Sequence, residues 1–509
     1  MEDRIPAVSM RNISKRFGLK IANVNVSIDI YRGEILALLG ENGSGKTTLM
    51  NILSGIYYPD EGQIYIDGKE VMIASPKDAF RLGIGMIHQH FKLVDVLTAS
   101  ENIVLGLNGK MRLNIGAVEK KVKEISELYG FHIDPSKKIY DMSVSEMQTV
   151  EIVKALYRGA EILILDEPTA VLTPQETDKL FAVLRNMKEN GKTVIIITHK
   201  MNEIMEISDR VAVLRKGKHT GEVLTKDTSP EELTNMMIGH HVNLNIDRPD
   251  PVDPRPRLVV KDLNVVDMDG IKRLEDISFT AYSGEILGIA GISGSGQKEL
   301  LEAIAGLQTI ESGEIYYIND DNTEENILGK NPLEISKMGI LLSFVPEDRI
   351  GMGLVGNMDI TDNMMLRSFR DGRSVFTNRK KPAQLAQKVV RDLNVDTPGI
   401  QTIVSRLSGG NVQKVLVGRE ISSSPKVLMT AYAVRGLDVN SSYTIYELIN
   451  RQKTSGAAII FVGEDLDVLV QLCDRIMVLC GGKVSGIVNG KEADNRTIGL
   501  MMTSLKGGQ

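Results

Sequence analysis

The stretch Gly40-Glu-Asn-Gly-Ser-Gly-Lys46-Thr-Thr48 decides the fold of this chain. It reads G-x-x-x-x-G-K-T and stands between the apolar run Ile35–Leu39 and a segment that can open a helix, Leu49–Leu53. A strand, a glycine-rich loop and a helix in this order are the context that a phosphate-binding P-loop requires. Backbone N–H groups close around a polyphosphate in such a loop, and the helix N-terminus adds the positive end of its dipole. The alternative is a glycine-rich turn without function.

The P-loop predicts direct contacts to a nucleotide and to a metal ion. Lys46 can reach the β- and γ-phosphates, and the Thr47 hydroxyl can coordinate Mg²⁺. ATP and Mg²⁺ are therefore the predicted ligands. We expect the following residues to surround the phosphates: Gly40, Glu41, Asn42, Gly43, Ser44, Gly45, Lys46, Thr47 and Thr48.

Composition limits the classes of protein that fit. The chain has 509 residues, 42% of them hydrophobic, and a net charge of −6. This acidic balance argues against a dedicated nucleic-acid binder, and two cysteines indicate a reducing compartment without a disulfide framework. The longest apolar runs, such as Ile162–Leu165, are strand-sized, and the start Met1–Pro6 lacks a signal-peptide pattern. We predict a cytoplasmic protein that reaches a membrane only through a partner.

The chain contains one unit twice. Arg32–Gly40 and Ser283–Gly291 are near copies, each followed by a Gly-Ser-Gly loop, and Asp209–Leu214 later matches Asp474–Leu479. Such a repeat indicates that the two halves of the chain fold into similar units. The proline-rich stretch Arg248–Arg257 between the copies favours an extended, semi-rigid linker. The predicted division is a first domain at 1–245, a linker at 246–257 and a second domain at 258–509.

Each copy has the same order of secondary-structure patterns. Segments rich in β-formers come first, helical stretches such as Gly116–Tyr129 and Ala383–Leu393 occupy the middle, and strand and helix patterns then alternate. This alternation predicts a parallel sheet. The expected fold class is α/β, with two tandem P-loop units.

Two acids follow an apolar strand in the first copy. Asp166 and Glu167 end the run Ile162–Leu165. In P-loop ATPases an acid at this strand end helps to hold Mg²⁺, and Glu167 is placed to take a proton from an attacking water. The alternative is that both acids cap a following helix.

Three further residues are candidates for contacts to the nucleotide. Gln89 follows a β-like run and is predicted to contact Mg²⁺ and the attacking water. His199 ends another apolar run and is predicted to contact the γ-phosphate, while Phe17 is predicted to stack on adenine. A strand-end histidine and a lone aromatic residue are more often structural, so that alternative stays open for His199 and Phe17.

The first copy has, in order, the P-loop, Gln89, a signature sequence at Met142–Gln148, the Asp-Glu strand and His199. This order resembles an ABC-transporter ATPase, and the resemblance covers nearly the whole chain. The fused pair is similar to the ATPase subunit of bacterial importers for simple sugars and nucleosides. The resemblance implies RecA-like parallel-sheet cores, each with an antiparallel β subdomain and an α-helical subdomain. It also implies head-to-tail pairing, with each nucleotide between one unit's P-loop and the other unit's signature.

The resemblance also implies partners and a location. The expected partners are two membrane permease subunits and an extracytoplasmic solute-binding protein, and no nucleic acid is expected. The subunit would then lie at the cytoplasmic face of the cell membrane as a peripheral protein, with its membrane contact made through the permeases.

The second copy differs at nearly every chemical position. The replacements are Gln297 for Lys46, Lys298 for Thr47, Ala431 for Asp166, Tyr432 for Glu167 and Glu464 for His199, with Glu347 near the position of Gln89. Lys298 can replace part of the lost charge, but it stands one residue later. Loss of a general base alone lowers a rate by roughly 10²–10⁴-fold.

The signatures differ in the opposite direction, since the second copy has the intact signature and the first copy has the altered one. The second signature, Leu407-Ser-Gly-Gly-Asn-Val-Gln413, is close to the family's L-S-G-G-Q, whereas the first signature, Met142-Ser-Val-Ser-Glu-Met-Gln148, lacks both glycines. Side chains at Val144 and Ser145 obstruct a close backbone approach to phosphate, and Glu146 adds negative charge there. We predict one competent and one degenerate site. The predicted nucleotide contacts in the second signature are Leu407, Ser408, Gly409, Gly410, Asn411 and Gln413.

Three functions compete: an importer motor, a soluble tandem ABC ATPase that acts on ribosomes, and a non-catalytic nucleotide-sensing scaffold. The short proline-rich linker and the missing second Asp-Glu pair disfavour the second, and the complete motifs of the first copy disfavour the third. Met86–Val94 and Asp166–Gln175 resemble the nucleoside-importing branch more than the sugar branches. Contacts to the permeases are predicted at Phe91–Glu101 and Asp348–Asn363.

Overall fold

The computed structural model divides the chain into two compact units, Met1–Asn243 and Leu244–Gln509. The residues that the structure describes are 5–18, 20–88, 91–107, 114–170, 172–198, 200–239, 246–267, 270–292, 294–344, 353–366, 368–369, 377–421, 425–435, 437, 439–463 and 465–503. Each unit is built around its own two hydrophobic cores.

The described part of the first unit alternates between strands and helices. Its strands are β1 (Val8–Phe17), β2 (Lys20–Ile30), β3 (Ile35–Leu39), β4 (Glu61–Ile66), β5 (Lys69–Val71), β6 (Ile84–Ile87), β7 (Ile162–Asp166), β8 (Thr193–Ile197), β9 (Arg210–Arg215) and β10 (Lys218–Leu224). Its helices are α1 (Lys46–Leu53), α2 (Pro76–Arg81), α3 (Ala99–Val104), α4 (Ile115–Tyr129), α5 (Val144–Tyr157), α6 (Pro174–Glu189), α7 (Met201–Ile207) and α8 (Pro230–Ile238).

These strands form two sheets. An antiparallel sheet has the order β2-β1-β4-β5, and a larger sheet has the order β10-β9-β3-β8-β7-β6. In the larger sheet all strands run parallel except the edge strand β10. Its central strands β3, β7 and β8 are buried along their whole length. Burial on both faces explains why these strands appear in the sequence as unbroken apolar runs rather than as alternating patterns.

The described part of the second unit repeats this plan. Its strands are β11 (Pro256–Val266), β12 (Lys272–Tyr282), β13 (Ile286–Ala290), β14 (Ile310–Ile318), β15 (Glu324–Asn326), β16 (Ile340–Phe344), β17 (Val427–Ala431), β18 (Ala458–Val462), β19 (Arg475–Cys480) and β20 (Lys483–Asn489). Its helices are α9 (Gln297–Ile304), α10 (Pro332–Lys337), α11 (Ile360–Met365), α12 (Lys380–Asp392), α13 (Gly409–Ile421), α14 (Val439–Thr454), α15 (Leu466–Leu472) and α16 (Asn495–Thr503). The sheets have the orders β12-β11-β14-β15 and β16-β17-β18-β13-β19-β20.

The predicted α/β fold with two tandem units is confirmed. Each unit has the expected antiparallel sheet, parallel-sheet core and set of helices. The helix predicted at Gly116–Tyr129 is α4, which begins one residue earlier. The helix predicted at Ala383–Leu393 is α12, which begins at Lys380 and ends at Asp392.

The proline-rich stretch between the copies lies against the second unit. The Arg248 guanidinium donates to the carbonyl oxygens of Val470 and Cys473, both at 2.8 Å, and Asp250 pairs with Lys491 at 2.5 Å. Pro256, which the sequence placed in the linker, already begins β11. The conformation of this stretch is therefore set by contacts with the second unit as well as by its prolines.

Within the described ranges, every helix is too short or too polar to cross a lipid bilayer.

Candidate nucleotide-binding site

The P-loop connects the buried strand β3 to helix α1. Gly43 and Gly45 have φ angles of +81° and +98°, a left-handed region that glycine enters without strain. A side chain at Gly45 would collide with Ala22 and Asn23 of β2, and Asn23 Nδ2 donates to the Gly45 carbonyl oxygen at 3.2 Å. The glycine spacing of the motif is thus required both by the loop's conformation and by its packing on β2.

Lys46 is held at the inner side of this loop. Its side chain is nearly buried, and Nζ donates to the carbonyl oxygens of Gly40 at 2.6 Å and Glu41 at 3.0 Å. Burial lowers the pKa of Lys46, although the charges of Glu167, Asp166 and Glu41 oppose this shift. The ammonium group is therefore a desolvated cation that an anionic ligand would stabilise.

Thr47 and Asp166 bring together two oxygen atoms that can coordinate a metal ion. Thr47 Oγ1 lies 3.4 Å from Asp166 Oδ1. Burial raises the pKa of Asp166, and the neighbouring Glu167 charge adds to this shift, while the Thr47 hydrogen bond and Lys46 oppose it. Hydroxyl and carboxylate oxygens are ligands that Mg²⁺ prefers. These residues fit a Mg²⁺ ion, which would also favour the ionised form of Asp166.

Ser44 supplies an unused hydroxyl inside the loop. The residue is buried, and its Oγ has no hydrogen-bond partner in the structure. Its backbone is fixed by Ser44 N donating to Glu41 O at 3.1 Å and Gly217 N donating to Ser44 O at 3.1 Å. A buried hydroxyl without a partner costs about 1–3 kcal/mol. A phosphate oxygen bound in the loop would accept its hydrogen bond, so this residue also fits a nucleotide.

Glu167 follows β7 directly and has an uncommon backbone conformation. Its φ angle is +48°, and its N–H donates to the Ile197 carbonyl oxygen at 2.9 Å. A non-glycine residue in this region costs about 1–3 kcal/mol and is found more often at functional sites. The adjacent turn is tied to the end of β8, because Glu203 accepts hydrogen bonds from Thr169 at 2.6 Å and Thr198 at 3.3 Å. The structure thus places Glu167 at the same sheet edge as Asp166.

Gln89 and His199 lie outside the described residues, so their predicted roles stay predictions. Their positions in the chain follow β6 and β8, which flank β7 in the sheet. Because the carboxyl ends of parallel strands meet at one edge, both residues follow strands that end beside Asp166 and Glu167.

Phe17 is exposed at the end of β1. Its ring packs edge-on against Tyr57, with ring centroids 5.1 Å apart and an interplanar angle of 69°. Lys15 Nζ lies 5.7 Å from the centroid of the same ring. The structure therefore places Phe17 in a small aromatic cluster on the surface rather than in the core.

The loop of the second unit keeps the backbone of the first but not its charge. Gly294 and Gly296 have φ angles of +83° and +99°, close to those of the first loop. Gln297 is buried where Lys46 is buried, and its Nε2 donates to the Ile292 carbonyl oxygen at 3.1 Å. Lys298 is half-exposed and its Nζ lies 3.7 Å from Glu302. The geometry of the loop thus survives in the second unit, with an amide in place of the buried cation.

Tyr432 occupies the backbone position of the lost glutamate. Its φ angle is +57°, and its N–H donates to Val462 O at 3.1 Å, as the N–H of Glu167 does to Ile197 O. Its ring lies beside the Arg435 guanidinium at 5.9 Å. The alignment of the two copies at this position is therefore correct, and an aromatic ring replaces the carboxylate. Glu464 and Glu347 lie outside the described residues.

The second signature opens α13 on the surface of its unit. Ser408 and Gly409 are exposed, and Ser408 Oγ accepts hydrogen bonds from Asn411 N at 3.4 Å and Asn411 Nδ2 at 3.0 Å. A side chain at Gly410 would meet only Leu437, at 4.0 Å. Space is therefore open in front of this helix end within the unit.

Gln413 is placed differently from the rest of the second signature. It is fully buried, and its Nε2 donates to Ala433 O at 2.8 Å. In the first signature, Gln148 donates to Pro168 O at the same distance of 2.8 Å. Both glutamines join the signature helix to the turn after the Asp-Glu position. The structure gives no support to Gln413 as a direct nucleotide contact.

The first signature opens α5 with a capping box. Ser143 and Glu146 satisfy each other's backbone N–H groups, and Glu146 forms an ion pair with Lys137 at 2.8 Å. Desolvation opposes a lowered pKa of Glu146, but the hydrogen bonds from Lys137 and Ser143 outweigh it. The negative charge that Glu146 adds to the first signature is therefore paired with Lys137, and its predicted effect on a nearby phosphate stays a prediction. Val144 and Ser145 remain as the steric difference from the second signature.

Two buried asparagines that the sequence analysis missed fix the segments after the glutamine positions. Asn102 Oδ1 accepts from Val94 N at 2.8 Å, and its Nδ2 donates to Val94 O at 3.1 Å. Asn363 makes the same pair of bonds to Val355, at 2.8 and 3.1 Å. The signal was present in the repeat, since the two asparagines follow their valines at the same spacing.

The geometry of both units defines a class of protein, a tandem P-loop ATPase with one complete and one altered loop. The ABC transporter family profile matches residues 24–170 and 274–430. The chain belongs to the ABC transporter family and is one of its tandem ATP-binding ATPases. ATP is therefore the nucleotide that the family implies.

Individual relatives match over nearly the full length. The chain is 39% identical to the nucleoside import ATP-binding protein NupA of Lactococcus lactis subsp. cremoris, covering 97% of each chain. It is 40% identical to the guanosine import ATP-binding protein NupO of Bacillus subtilis, covering 97% of each. It is also 39% identical to the ribose import ATP-binding protein RbsA of Clostridium perfringens, covering 98% of each.

A solved structure shares the fold. The archaeal ribosome recycling factor aABCE1, in complex with the ribosomal stalk protein aP1, matches with a TM-score of 0.62 and 16% identity, covering 96% of this chain and 92% of the other. At this identity the match shows a common fold alone.

Proposed function

We propose that the protein is the ATP-hydrolysing subunit of a bacterial ABC importer that takes up nucleosides. The observation that carries the proposal is the meeting of Lys46, Thr47, Asp166 and Glu167 at one edge of the parallel sheet. It stands in a chain that is similar over its whole length to import ATP-binding proteins.

Different residues of the first unit have different roles in ATP hydrolysis. Lys46 and the loop N–H groups bind the β- and γ-phosphates of ATP, and Ser44 Oγ donates to a phosphate oxygen. Thr47, Asp166 and Gln89 hold Mg²⁺, which when bound supplies positive charge for the phosphoryl oxygens in the transition state. Glu167 accepts a proton from the attacking water, and His199 contacts the γ-phosphate.

The second unit contributes the second signature to this site and has a weak or purely structural site of its own. Support comes from the exposed helix end at Ser408 and Gly409 and from the family's head-to-tail pairing. In the second unit, Gln297 replaces the phosphate-binding cation and Tyr432 replaces the general base that hydrolysis requires. We therefore propose one turnover site for each fused chain.

The permeases dock on the segments after the glutamine positions. In the first unit, Val94 is 39% exposed and Val96 is 68% exposed. The backbone just before them is nevertheless fixed by hydrogen bonds to α5. Lys92 N donates to Glu151 of α5 at 2.9 Å, and Lys154 of α5 donates to Lys92 O at 3.2 Å. An apolar surface joined in this way to the signature helix can transmit a change at the nucleotide to a membrane partner. Residues 348–352 of the second predicted segment lie outside the described ranges.

Replacing Val94 by aspartate is expected to uncouple transport from ATP. A charge at the apolar contact would be desolvated against the permease, which weakens docking, whereas the loop around Lys46 is unchanged. Solute uptake should fall strongly while ATP binding by the purified chain stays at its wild-type affinity. Leu97, in the same segment, should behave in the same way.

The matched control is Leu128→Asp, which places the same charge at an exposed apolar position on α4. It should leave uptake unchanged. Retained uptake in the Val94→Asp strain would refute the docking assignment.

The transported solute is tested by uptake of labelled compounds in a strain that lacks this gene. We expect labelled nucleosides to be taken up only after complementation, and labelled ribose, galactose and xylose to be unaffected. The alternative is the same motor serving a simple sugar, which the 39% identity to ribose import proteins supports. A response of a sugar alone would select that alternative. No change for any solute would overturn the importer proposal.

The proposal includes the remaining parts of an importer. Two membrane permeases carry the solute path, an extracytoplasmic binding protein delivers the solute, and this chain is peripheral at the cytoplasmic face of the membrane.

A further inference from the structure

The exposed ring of Phe17 belongs to a cluster with three further members. Tyr57, 36% exposed, packs edge-on against Phe17, itself 43% exposed. Lys15 lies near the face of the same ring and pairs with Asp60 at 2.7 Å. Asp60 also accepts a hydrogen bond from Arg16 N at 2.7 Å. The residues around Phe17 therefore hold its backbone and ring, yet they leave much of its surface exposed.

The distance between this cluster and the P-loop matches the length of a nucleotide. Phe17 pairs with Lys20 across the hairpin of β1 and β2, and Asn23, three residues further along β2, donates to Gly45 O of the P-loop. Three strand residues span ~10 Å. This spacing leaves room for a ribose and an α-phosphate between a base at Phe17 and phosphates at Lys46. Tyr57 reaches Phe17 from the turn after α1, where its N–H donates to Asn51 O at 3.1 Å.

The second unit has lost both aromatic residues together. Strand register places Val265 opposite Lys15, since Val265 pairs with Leu274 as Lys15 pairs with Asn23. Asp267 is then the counterpart of Phe17. It accepts a hydrogen bond from Ile271 N at 2.9 Å and pairs with Arg273 at 2.7 Å.

The counterpart of Tyr57 follows from the turn after α9. Leu307 N donates to Glu302 O as Ile56 N donates to Asn51 O, both at 2.8 Å, so Gln308 stands where Tyr57 does. Gln308 Nε2 donates to Glu302 at 2.8 Å. Two positions far apart in sequence, in contact in the first unit, are thus both aromatic in one copy and both polar in the other. This joint difference indicates that the two rings serve one purpose.

We infer that Tyr57 is a positioning residue for the nucleotide base: it holds the Phe17 ring in the orientation in which adenine stacks on it, and the second unit has no counterpart of this platform among its described residues. The inference rests on ATP being the ligand of the first P-loop and is independent of the transported solute. It extends the asymmetry of the chain from phosphate chemistry to base recognition.

The chain contains no tryptophan, which makes a spectroscopic test direct. In the full-length Phe17→Trp variant the new indole is the only one, and ATP should change its emission while inorganic tripolyphosphate should not. Adding Tyr57→Ala should weaken ATP binding in this assay by about 2- to 12-fold, the value of an aromatic pair converted to an affinity ratio. Adding Tyr57→Phe, which keeps the ring, should restore the parent behaviour.

Calorimetry on variants without the tryptophan provides a second measurement. Tyr57→Ala should lower the affinity for ATP and leave the affinity for tripolyphosphate unchanged, which also shows that the P-loop remains folded. Phe17→Ala should lower ATP affinity further, by about 5- to 150-fold. Two matched controls should have no effect on ATP affinity: Tyr58→Ala, which removes an adjacent exposed ring without a described ring contact, and Gln308→Ala, at the counterpart of Tyr57.

Three results would overturn the inference. ATP could bind by calorimetry without changing the indole emission of the Phe17→Trp variant, Tyr57→Ala could weaken ATP and tripolyphosphate equally, or Tyr57→Ala could bind ATP as tightly as the wild type. Failure of the importer proposal would look different, because ATP binding would follow the expected pattern while solute uptake did not depend on the gene.

Discussion

Replacing Glu167 by glutamine is expected to lower the rate of ATP hydrolysis by roughly 10²–10⁴-fold. The amide cannot accept a proton from water, although it has nearly the same size and shape as the carboxylate. Glu167 sits at the strand end beside Asp166, with its backbone fixed by Ile197, so the substitution should not disturb the loop around Lys46. ATP binding should therefore persist while turnover is lost. Steady-state phosphate release and equilibrium ATP binding, measured on the same preparation, separate the two effects.

The second copy offers the matched control for this variant. Tyr432 has the same left-handed backbone and the same hydrogen bond to the neighbouring strand as Glu167. Tyr432→Phe should leave phosphate release at the wild-type rate. Substantial turnover by Glu167→Gln would show that another group accepts the proton, and the assignment of the general base would fail.

Replacing Lys46 by alanine is expected to weaken ATP binding by about 10²-fold or more, since it removes a buried cation that pairs with phosphate. The fold should survive. Burial lowers the pKa of Lys46, which means that the folded state holds this proton less tightly than the unfolded chain does. Desolvation of the charged lysine therefore costs stability at neutral pH, and this cost offsets the hydrogen bonds that Lys46 donates to Gly40 and Glu41. The melting temperature of the ligand-free variant should therefore stay close to that of the wild type.

Gln297→Ala is the control for this prediction, because Gln297 is buried at the same place in the second loop. It should reduce ATP turnover little. The experiment compares ATP affinity, turnover and melting temperature for the two variants. If Gln297→Ala abolished turnover as completely as Lys46→Ala, the two sites would be equally necessary and the proposed asymmetry would be wrong.

Much of the fold could be predicted because its signals are local. The central strands are unbroken apolar runs, and α4 has apolar residues at helical spacing with an asparagine cap and a terminal glycine. Because the chain is duplicated, the strands and helices predicted for one half also apply to the other half. The path of the proline-rich stretch could not be predicted in the same way. Its contacts, such as those of Arg248 with Val470 and Cys473, join residues more than two hundred positions apart.

The candidate site was predictable where chemistry imposes a spacing. The P-loop, Asp166 and Glu167 belong to motifs whose residue order follows from phosphate and metal binding. Ser44 was predicted as one of the residues around the phosphates, but not as a buried hydroxyl without a partner. The contacts of Tyr57 and Asn102 were not predicted, because an exposed ring pair and an asparagine that holds a loop have no fixed motif. The ion pair of Glu146 was not predicted for a related reason. Its partner Lys137 lies outside the signature, and the pairing becomes visible only when both side chains are placed.

The most direct test of the central claim is nucleoside uptake by cells whose only copy of the gene carries either Glu167→Gln or Tyr432→Phe. The account predicts that Glu167→Gln cells take up no more labelled nucleoside than cells without the gene, whereas Tyr432→Phe cells match the wild type. Uptake that survives Glu167→Gln, or that is lost equally in both strains, would contradict an importer driven by one catalytic site in the first unit.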